Sequence, residues 1–425
     1  MEILVKEKTC LNFKDAKTMK MPSLLMLSLA LMIAASVQAS DQPRVAFITS
    51  VTGNGDLSSW DDADGASGLA AADAVCQTRA QAAGLANPGN FVAWLSDSDD
   101  DAYCRLHGLS GKRADNCGQA ELPSAAGPWV RTDGFPFSPG VSQLTASSPV
   151  IYAPLRLNEY GEAVSSAIFT GTRVGGDASD QNCDDWSNGA DDGTRVLQGN
   201  TNATGQRWTS VNTLQQCHLE RPLACFEREP GPALPELQLA GRLAFVSSEG
   251  GPGNLSEWSL AEPGLVGIEA GDSVCRNLAD AMGLPEHDSF KAWLSDDSTD
   301  AIDRFENNGR WVRVDGVPLA ANKSQLTSGQ LLTSLSVTEE GQYLSGLPSS
   351  HRAWTGTEAD GLGSGEHCNG WSTASDSVDG TWGNVVYRDH RWTQWIASTG
   401  CDRNRRLYCL SDAVDPLIFA DRFER

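Results

Sequence analysis

Basic residues are scarce in this sequence of 425 residues, which contains 32 Lys and Arg against 55 Asp and Glu and has a net charge of −23. A surface this acidic repels nucleic acid and anionic lipid headgroups, so we exclude both as partners. The apolar run from Leu24 to Ala35 is too short to cross a bilayer comfortably. The sequence therefore predicts no membrane span.

Catalytic motifs are also lacking. The sequence has six histidines, and it shows no nucleophile elbow, no HExxH motif and no phosphate-binding glycine loop. An active site normally leaves a constellation of nucleophile, base or metal ligands in the sequence. Its absence favours a protein that binds a ligand over an enzyme.

The first residues have the pattern of a secretory signal peptide. Lys20 precedes the apolar run, and Val37 and Ala39 place small residues at the −3 and −1 positions of a cleavage site. We predict a leader over residues 1–39 that is cleaved after Ala39, with an uncleaved signal anchor as the alternative. Without the leader's five Lys and three acidic residues the net charge becomes −25. Ten cysteines remain, an even number that is typical of exported proteins.

The rest of the chain is a duplication. Both copies contain, in the same order, Asp-x-Val-Cys, Phe-x-Ala-Trp-Leu-Ser-Asp, Trp-Val-Arg, Ser-Gln-Leu-Thr, Thr-Gly-Thr, Cys-x-x-Trp and two closing cysteines. The pattern predicts helices over 69–83 and 268–282, ended by Gly84 and Gly283. We assign one domain to residues 43–228 and one to 242–411. A proline-rich linker at 229–241 reads as a semi-stiff spacer, and a tail follows at 412–425.

Tryptophans are frequent, and most of them occupy anchors that the two copies share. This placement favours core packing over ligand stacking. Trp382 and Trp395 occur in the second copy alone; exposed contacts are an alternative for these two, and core packing is the interpretation that we favour. The shared pairs are Trp94 and Trp293, Trp129 and Trp311, Trp186 and Trp371, and Trp208 and Trp392.

One insertion distinguishes the copies. Trp94 and Trp129 are 35 residues apart, whereas Trp293 and Trp311 are 18 apart, so the first copy has 17 extra residues there. We assign Cys104 and Cys117, which have no counterparts in the second copy, to this insertion and expect them to pair with each other. A short loop closed in this way stabilises a fold by about 3 kcal/mol.

The order of these motifs resembles the endostatin-like (collagenase NC10) branch of the C-type-lectin-like fold, and more closely the bacterial secreted family DUF1554. The resemblance covers roughly residues 44–227 and 242–411. It implies an α+β fold with two tandem domains, each with an irregular antiparallel core, a helix and nested disulfides. Spacing alone leaves three connectivities open for the four shared cysteines of each copy. The resemblance implies the pairs Cys76–Cys225, Cys183–Cys217, Cys275–Cys409 and Cys368–Cys401.

Two alternative sites remain open. None of the histidines is shared by both copies, which argues against a duplicated active site, but a single site from His351, His367 and His390 is an alternative. The acidic loops are candidate calcium ligands, although none has EF-hand spacing. Solvated acidic loops are the alternative that we favour. The acidic loop residues are Asp97, Asp99, Asp100, Asp101, Asp184, Asp185, Asp191, Asp192, Asp296, Asp297, Asp300 and Asp303.

These observations lead to a functional expectation. The sequence and the resemblance together predict a secreted or cell-surface, non-catalytic protein that binds an extracellular protein or glycan, with no cofactor. A secreted hydrolase with a site built from the loops of one domain is the alternative. A small basic cluster at Arg403, Arg405 and Arg406 resembles the basic patches of endostatin, but it lies in acidic surroundings.

Overall fold

The structure, a computed structural model, describes residues 42–211, 213–234, 237, 240–348 and 350–413. The predicted leader at 1–39 lies outside the described residues, as do most of the predicted tail and part of the predicted linker. Among the helices that the structure describes, none is both long and apolar enough to cross a membrane.

The fold of each copy mixes short strands with one long helix. The strands of the first copy are β1 Arg44–Ile48, β2 Phe91–Ala93, β3 Trp129–Val130, β4 Pro136–Ser138, β5 Ala167–Phe169, β6 Arg195–Val196, β7 Gln198–Asn200, β8 Gln215–Gln216 and β9 Ala224–Glu227. Its helices are α1 Gly68–Ala82, α2 Ala102–Arg105, α3 Val141–Leu144 and the single turn α4 Cys183–Trp186. Its 3₁₀ turns are Leu57–Ser59, Asp61–Ala63, Pro88–Asn90, Arg113–Gly118 and Gly205–Trp208.

The second copy repeats this order. Its strands are β10 Arg242–Val246, β11 Phe290–Ala292, β12 Trp311–Arg313, β13 Pro318–Ala320, β14 Arg352–Trp354, β15 Asp379–Gly380, β16 Trp382–Asn384, β17 Thr399–Gly400 and β18 Arg406–Ser411. Its helices are α5 Gly267–Ala281, α6 Lys323–Leu326 and the single turn α7 Cys368–Trp371. Its 3₁₀ turns are Leu255–Glu257, His287–Ser289, Ala301–Arg304 and His390–Trp392.

The sheets are mixed, which corrects the expected antiparallel core. The first copy has a sheet in the order β2-β9-β1-β3-β4, and the second has one in the order β13-β12-β10-β18-β14-β16, with β11 also paired to β18. Most neighbours are antiparallel, but β1 and β3, β10 and β12, and β14 and β18 run parallel. The parallel pairs arise because the chain returns to the sheet edge through long loops instead of hairpins.

The two long helices lie where the repeat pattern predicts them. Each begins and ends one residue earlier than expected, and each is followed by the predicted glycine in the left-handed conformation, Gly84 at φ +69° and Gly283 at φ +56°. A residue with a Cβ is strained at that position, so glycine ends the helix at low cost. Helix α1 packs against β2, and helix α5 packs against β11.

The shared tryptophans form the core, as predicted. All eight are at most 2% exposed. In the first copy Trp94 and Trp208 lie 5.1 Å apart between ring centroids, and Phe226 packs against both rings. Large aromatic side chains contribute much of the apolar area that a small domain buries, so these anchors stabilise each copy. Trp382 is also buried, and Trp395, half-buried, stacks on it at 5.2 Å.

Five disulfides join the described residues. They are Cys76–Cys225, Cys104–Cys117, Cys183–Cys217, Cys275–Cys409 and Cys368–Cys401. The four pairs of the shared framework are the nested ones that the family resemblance implies. In each copy the first of them links the long helix to the last strand of the main sheet, so it encloses nearly the whole repeat.

The edges of the predicted domains shift slightly. The assigned tail begins at Asp412, but the carboxylate of Asp412 accepts hydrogen bonds from Lys291 Nζ at 2.8 Å and from the backbone of Asn307 at 3.0 Å. Arg242 Nε donates to the carbonyl oxygen of Ala413 at 2.7 Å. The second copy therefore extends to residue 413, because Asp412 and Ala413 accept hydrogen bonds from residues of that copy.

The two copies contact each other through equivalent segments. Thr204 N donates to Val386 O at 2.8 Å, and Arg388 N donates to Asn202 O at 3.1 Å, with Ala203 and Tyr387 paired between them. In this region equivalent residues are 184 positions apart, as Trp208 and Trp392 show. The two hydrogen bonds therefore exchange under a local twofold rotation, which is the signature of a self-complementary interface. We call this contact the seam.

Histidine 351 lies behind the seam. His351 Nδ1 lies 3.1 Å from Ser345 Oγ and accepts from Gly346 N at 3.3 Å. The carbonyl oxygen of Ser345 in turn accepts from Gln206 N of the first copy at 3.0 Å. Burial, together with the nearby charge of Arg406, lowers the pKa of His351 from 6.5 to about 4. The imidazole of His351 is therefore neutral in the folded chain at neutral pH, and it holds the turn at Ser345 and Gly346 that the first copy contacts.

We expect acid to weaken this turn. Because the pKa of His351 is lower in the folded state than in the unfolded state, the unfolded chain takes up the proton first as pH falls from 6.5 towards 4. Stability should fall across that window, and it should fall less steeply in His351→Gln. Thermal unfolding measured between pH 7 and 5 tests this, with His287→Gln at a half-buried position away from this turn as the control. Equal slopes for both variants and the parent chain would contradict the prediction.

Candidate ligand-binding site

A groove opens on the surface of the first copy. Its volume of about 610 Å³ falls within the range typical of small-molecule sites. Three segments form it: the loop after β2, the loop that follows α2, and the chain from Arg173 to Asp185. The residues that line it are Asp97, Ser98, Asp101, Lys112, Ala114, Arg173, Asp177, Ala178, Ser179, Asp180, Asn182, Asp184 and Asp185.

The first wall is organised by its own carboxylates. Asp97 Oδ1 accepts from the backbone N–H groups of Asp99 and Asp100 at 3.0 and 2.7 Å, which closes a tight turn. Asp101 is 2% exposed and accepts from Arg113 N at 2.7 Å and from Ala178 N at 2.8 Å. The acidic residues of this loop therefore hold backbone in place, which explains why the sequence needs them.

The second wall belongs to the first copy alone. Lys112 Nζ donates to Asp97 O at 2.8 Å and reaches Asp101 at 3.5 Å. The guanidinium of Arg113 lies 4.6 Å from the ring centroid of Tyr103 and donates to Gly175 O. The extra loop thus closes one side of the groove and is tied to the other two walls.

The position of Cys104 corrects the predicted insertion. Cys104 lies in α2, and the next residue, Arg105, donates to Ala93 O just as Arg304 donates to Ala292 O in the second copy. The residue equivalent to Cys104 is therefore Asp303, and the extra residues begin only after α2. Cys117 lies within them, so the disulfide fastens the extra loop to a helix that both copies possess.

The third wall contains a turn of left-handed helix. All four residues from Cys183 to Trp186 have φ between +52° and +65°, although none is glycine. This conformation costs roughly 1–2 kcal/mol per residue with a Cβ. Three contacts compensate: the Cys183–Cys217 disulfide, a hydrogen bond of 2.9 Å from Trp186 Nε1 to Ser96 O, and the Asn182 cap on Asp185 N at 3.1 Å.

Asp185 joins the first and third walls. Its carboxylate accepts from Ser98 N at 2.8 Å, from Ser98 Oγ at 2.6 Å and from Asn182 Nδ2 at 2.7 Å. Partial desolvation raises the pKa of Asp185, but these hydrogen bonds and the charge of Lys112 outweigh it, so the pKa lies below its ordinary value of 3.8. Asp185 is therefore ionised and fixed at neutral pH.

The same left-handed turn recurs in the second copy with different side chains. His367 caps it there, accepting from Gly370 N at 2.8 Å through Nδ1, while Nε2 lies 2.9 Å from Asp297 Oδ1. His367 thus has the role that Asn182 has in the first copy. A loop equivalent to the one that carries Lys112 is missing from the second copy, so the corresponding surface lacks that wall.

The three histidines of the alternative active site, His351, His367 and His390, do not lie in one site. His367 contacts Asp297 and the turn, whereas His351 contacts Ser345 and Gly346. His390 is exposed and begins a 3₁₀ turn. The three side chains therefore have separate surroundings, and the hydrogen bonds recorded for the described residues join no two of them.

The acidic loops were the candidate calcium ligands. Among the residues that the structure describes, no group of three or more His, Cys, Asp or Glu side chains is placed to hold a metal. Several of these carboxylates accept hydrogen bonds from the protein itself. Asp300, for example, accepts from Gly363 N at 2.6 Å. Hydrogen bonds from Asn188 and Thr194 lower the pKa of Asp192 to about 2.

The predicted basic cluster is dispersed. Arg406 donates to the carbonyl oxygens of Ser248 at 2.6 Å and Ser350 at 2.9 Å. Arg405 is 2% exposed, whereas Arg403 is exposed and lies 3.4 Å from Asp402. The cluster therefore does not form one exposed patch, because two of its three side chains bind the interior of the second copy.

Sequence reasoning named four of the six carboxylates of the groove. The lining residues that it missed include Asp177, Asp180, Ser98, Lys112 and Arg173. Lys112 could have been identified as a site residue from its place in a loop that only the first copy has. Arg173 could not, because Glu358 replaces it in the second copy. No protein-family model matches the chain, and no curated protein matches it. The chemistry of the groove must therefore be argued from its lining, which combines two cations, six carboxylates and serine hydroxyl groups.

Proposed function

We propose that this chain is an exported, non-catalytic binding protein, and that an extracellular protein or glycan occupies the groove of the first copy. The observation that carries the proposal is the wall around Lys112. The copies share their framework, and this wall is where the first copy has added structure. Residues that a fold does not need, placed on the rim of a groove, are typical of a binding surface.

The framework supports two tandem C-type-lectin-like modules of the endostatin-like branch, with the DUF1554 family as the nearest resemblance. Each copy has a long helix bonded to the last strand of its main sheet and a second disulfide nested inside the first. Five disulfides also fit an oxidising compartment outside the cytosol. Module boundaries near residues 43–228 and 242–413 belong to the same proposal.

The groove lining suggests how a ligand is held. Lys112 and Arg173 present donors, and Ser98, Ser179 and the carboxylates present acceptors. Arg173 is half-exposed and lies 3.3 Å from Asp177 and 3.4 Å from Asp180. A polar ligand with both hydroxyl and charged groups matches such a lining, because each buried polar group of the ligand then finds a partner.

We expect the double substitution Lys112→Ala and Arg173→Ala to weaken ligand binding about tenfold or more, because charge-assisted hydrogen bonds are lost. The parent chain is first used on a glycan array and on a panel of extracellular matrix proteins. The affinity of the double variant for the captured ligand is then measured. Arg195→Ala, an exposed arginine of the first copy outside the groove, is the matched control.

Two outcomes would contradict the proposal. One is equal affinity of the double variant and the parent chain for the captured ligand. The other is silence on both panels combined with turnover in a hydrolase screen, which would favour the enzymatic alternative.

A further inference from the structure

A group of arginines and aromatic rings lies next to the seam. Arg207 comes from the first copy, and its charge acts on Tyr387 of the second copy, with which it shares a hydrogen bond. The guanidinium of Arg352 lies 4.4 Å from the ring centroid of Trp382. Trp382 stacks on Trp395, which in turn lies 5.8 Å from Tyr387. These side chains form one contiguous cluster.

The cluster contains donors that lack acceptors. Arg207 Nε, Arg352 Nε and Trp382 Nε1 are buried atoms without a hydrogen-bond partner within the part of the chain that the structure describes. Arg207 itself is 9% exposed. Arginine and tryptophan side chains donate and never accept, so each of these atoms needs an acceptor from elsewhere. Leaving a buried donor unmatched costs free energy, and a bound ion or water is the usual explanation.

The charges of the cluster point to an anion. Burial, and then the charge of Arg207, lowers the pKa of Arg352. Two cations that repel each other are thus held together in a chain whose net charge is −23. An oxyanion supplies both the missing acceptors and the compensating charge. Arg352 and Trp395 are half-buried, so the cluster reaches the surface at these two side chains.

We propose that the seam holds a binding site for one oxyanion group, a sulfate, phosphate or carboxylate of a ligand, formed by Arg207 of the first copy with Arg352 and Trp382 of the second. The site needs both copies, which gives the duplication a role beyond doubling one module. Alanine and glutamine replace Arg352 and Trp382 at positions 167 and 198 of the first copy, so the site occurs once.

The acidity of the chain is compatible with such a site. Charges beyond about 8 Å are screened at physiological ionic strength, so one small anion responds mainly to the nearby arginines. A long polyanion would still meet the acidic surface on every side. The inference is independent of the groove, because no residue of the cluster lines it.

The test is a titration of the full chain with sodium sulfate, phosphate or acetate at constant ionic strength. The side-chain Nε–H signals of arginine in NMR spectra report binding at each step. We expect saturable shifts for at least one anion, and the tightest of the three identifies the oxyanion class. Arg352→Gln should weaken that binding about tenfold or more. Arg195→Gln and the groove variant Lys112→Ala should leave it unchanged.

Arg207 is buried, so Arg207→Lys, which keeps the charge but loses the Nε–H donor, is the second variant. We expect it to weaken binding several-fold while the chain stays folded by circular dichroism. Absence of saturable shifts with all three anions would overturn the proposal. So would unchanged affinity in Arg352→Gln.

Discussion

Replacing Asp73 with alanine is expected to lower the free energy of unfolding of the first copy by about 3–5 kcal/mol. Asp73 lies on helix α1 and accepts from Ala93 N at 2.9 Å and from the guanidinium of Arg105. Arg105 is 7% exposed. Without Asp73 its charge stays buried with only the carbonyl oxygens of Ala93 and Leu95 as partners. An uncompensated buried charge is among the most destabilising changes in a protein.

Two comparisons isolate the cause. Asp272→Ala in the second copy removes the equivalent carboxylate from Arg304 and should cost a similar amount. Asp177→Ala removes one partner of the half-exposed Arg173 and should cost at most about 1 kcal/mol. Urea denaturation of the three variants measures the differences. A loss below about 1 kcal/mol in both Asp73→Ala and Asp272→Ala would show that burial does not determine how much the ion pair contributes to the free energy of unfolding.

The sequence predicted the parts of the fold that are fixed by repetition. Asp73 and Cys76 recur as Asp272 and Cys275, and the structure explains why: the carboxylate holds the next strand, and the cysteine bonds to the last one. The buried tryptophans were predictable for the same reason. A residue that is the same in both copies, although their loops differ, is one that the common core requires.

The left-handed turns could not be predicted. Left-handed backbone is usually announced by glycine or asparagine, and the stretch from Cys183 to Trp186 contains neither. The second copy does carry a hint, in Asn369 and Gly370. The turns exist because a disulfide, a buried tryptophan and a capping side chain hold them together. These tertiary contacts override local preference.

The seam was also hidden from the sequence. Prolines between the copies suggested a spacer, but residues 202–204 and 386–388 join the copies through backbone hydrogen bonds. Asn202, Ala203 and Thr204 have no apolar pattern that marks an interface. Backbone groups are the same in every sequence, so the backbone hydrogen bonds of the seam leave no signal in composition or periodicity. Its side-chain hydrogen bonds, such as those of Arg388 with Asn202 and of Thr204 with Ser334, join polar residues that form no periodic pattern.

Removing the Cys76–Cys225 disulfide is expected to destabilise the first copy more than removing the disulfide of the extra loop. The bond joins residues 149 apart in the sequence, whereas Cys104 and Cys117 are 13 apart. In the chain-entropy model a bond stabilises by restricting the unfolded chain, and the restriction grows with the loop that it closes. The model gives about 5 kcal/mol for the long loop and about 3 kcal/mol for the short one.

The matched variants are the double substitutions Cys76→Ala with Cys225→Ala and Cys104→Ala with Cys117→Ala. All four cysteines are at most 2% exposed, so each double variant loses two buried sulfur atoms, and the loss of packing is similar. The difference in unfolding free energy then reports loop length. Guanidinium denaturation under non-reducing conditions should place the long-loop variant about 2 kcal/mol below the short-loop variant. The opposite order would mean that native contacts around the extra loop, and not the unfolded chain, determine what each bond contributes.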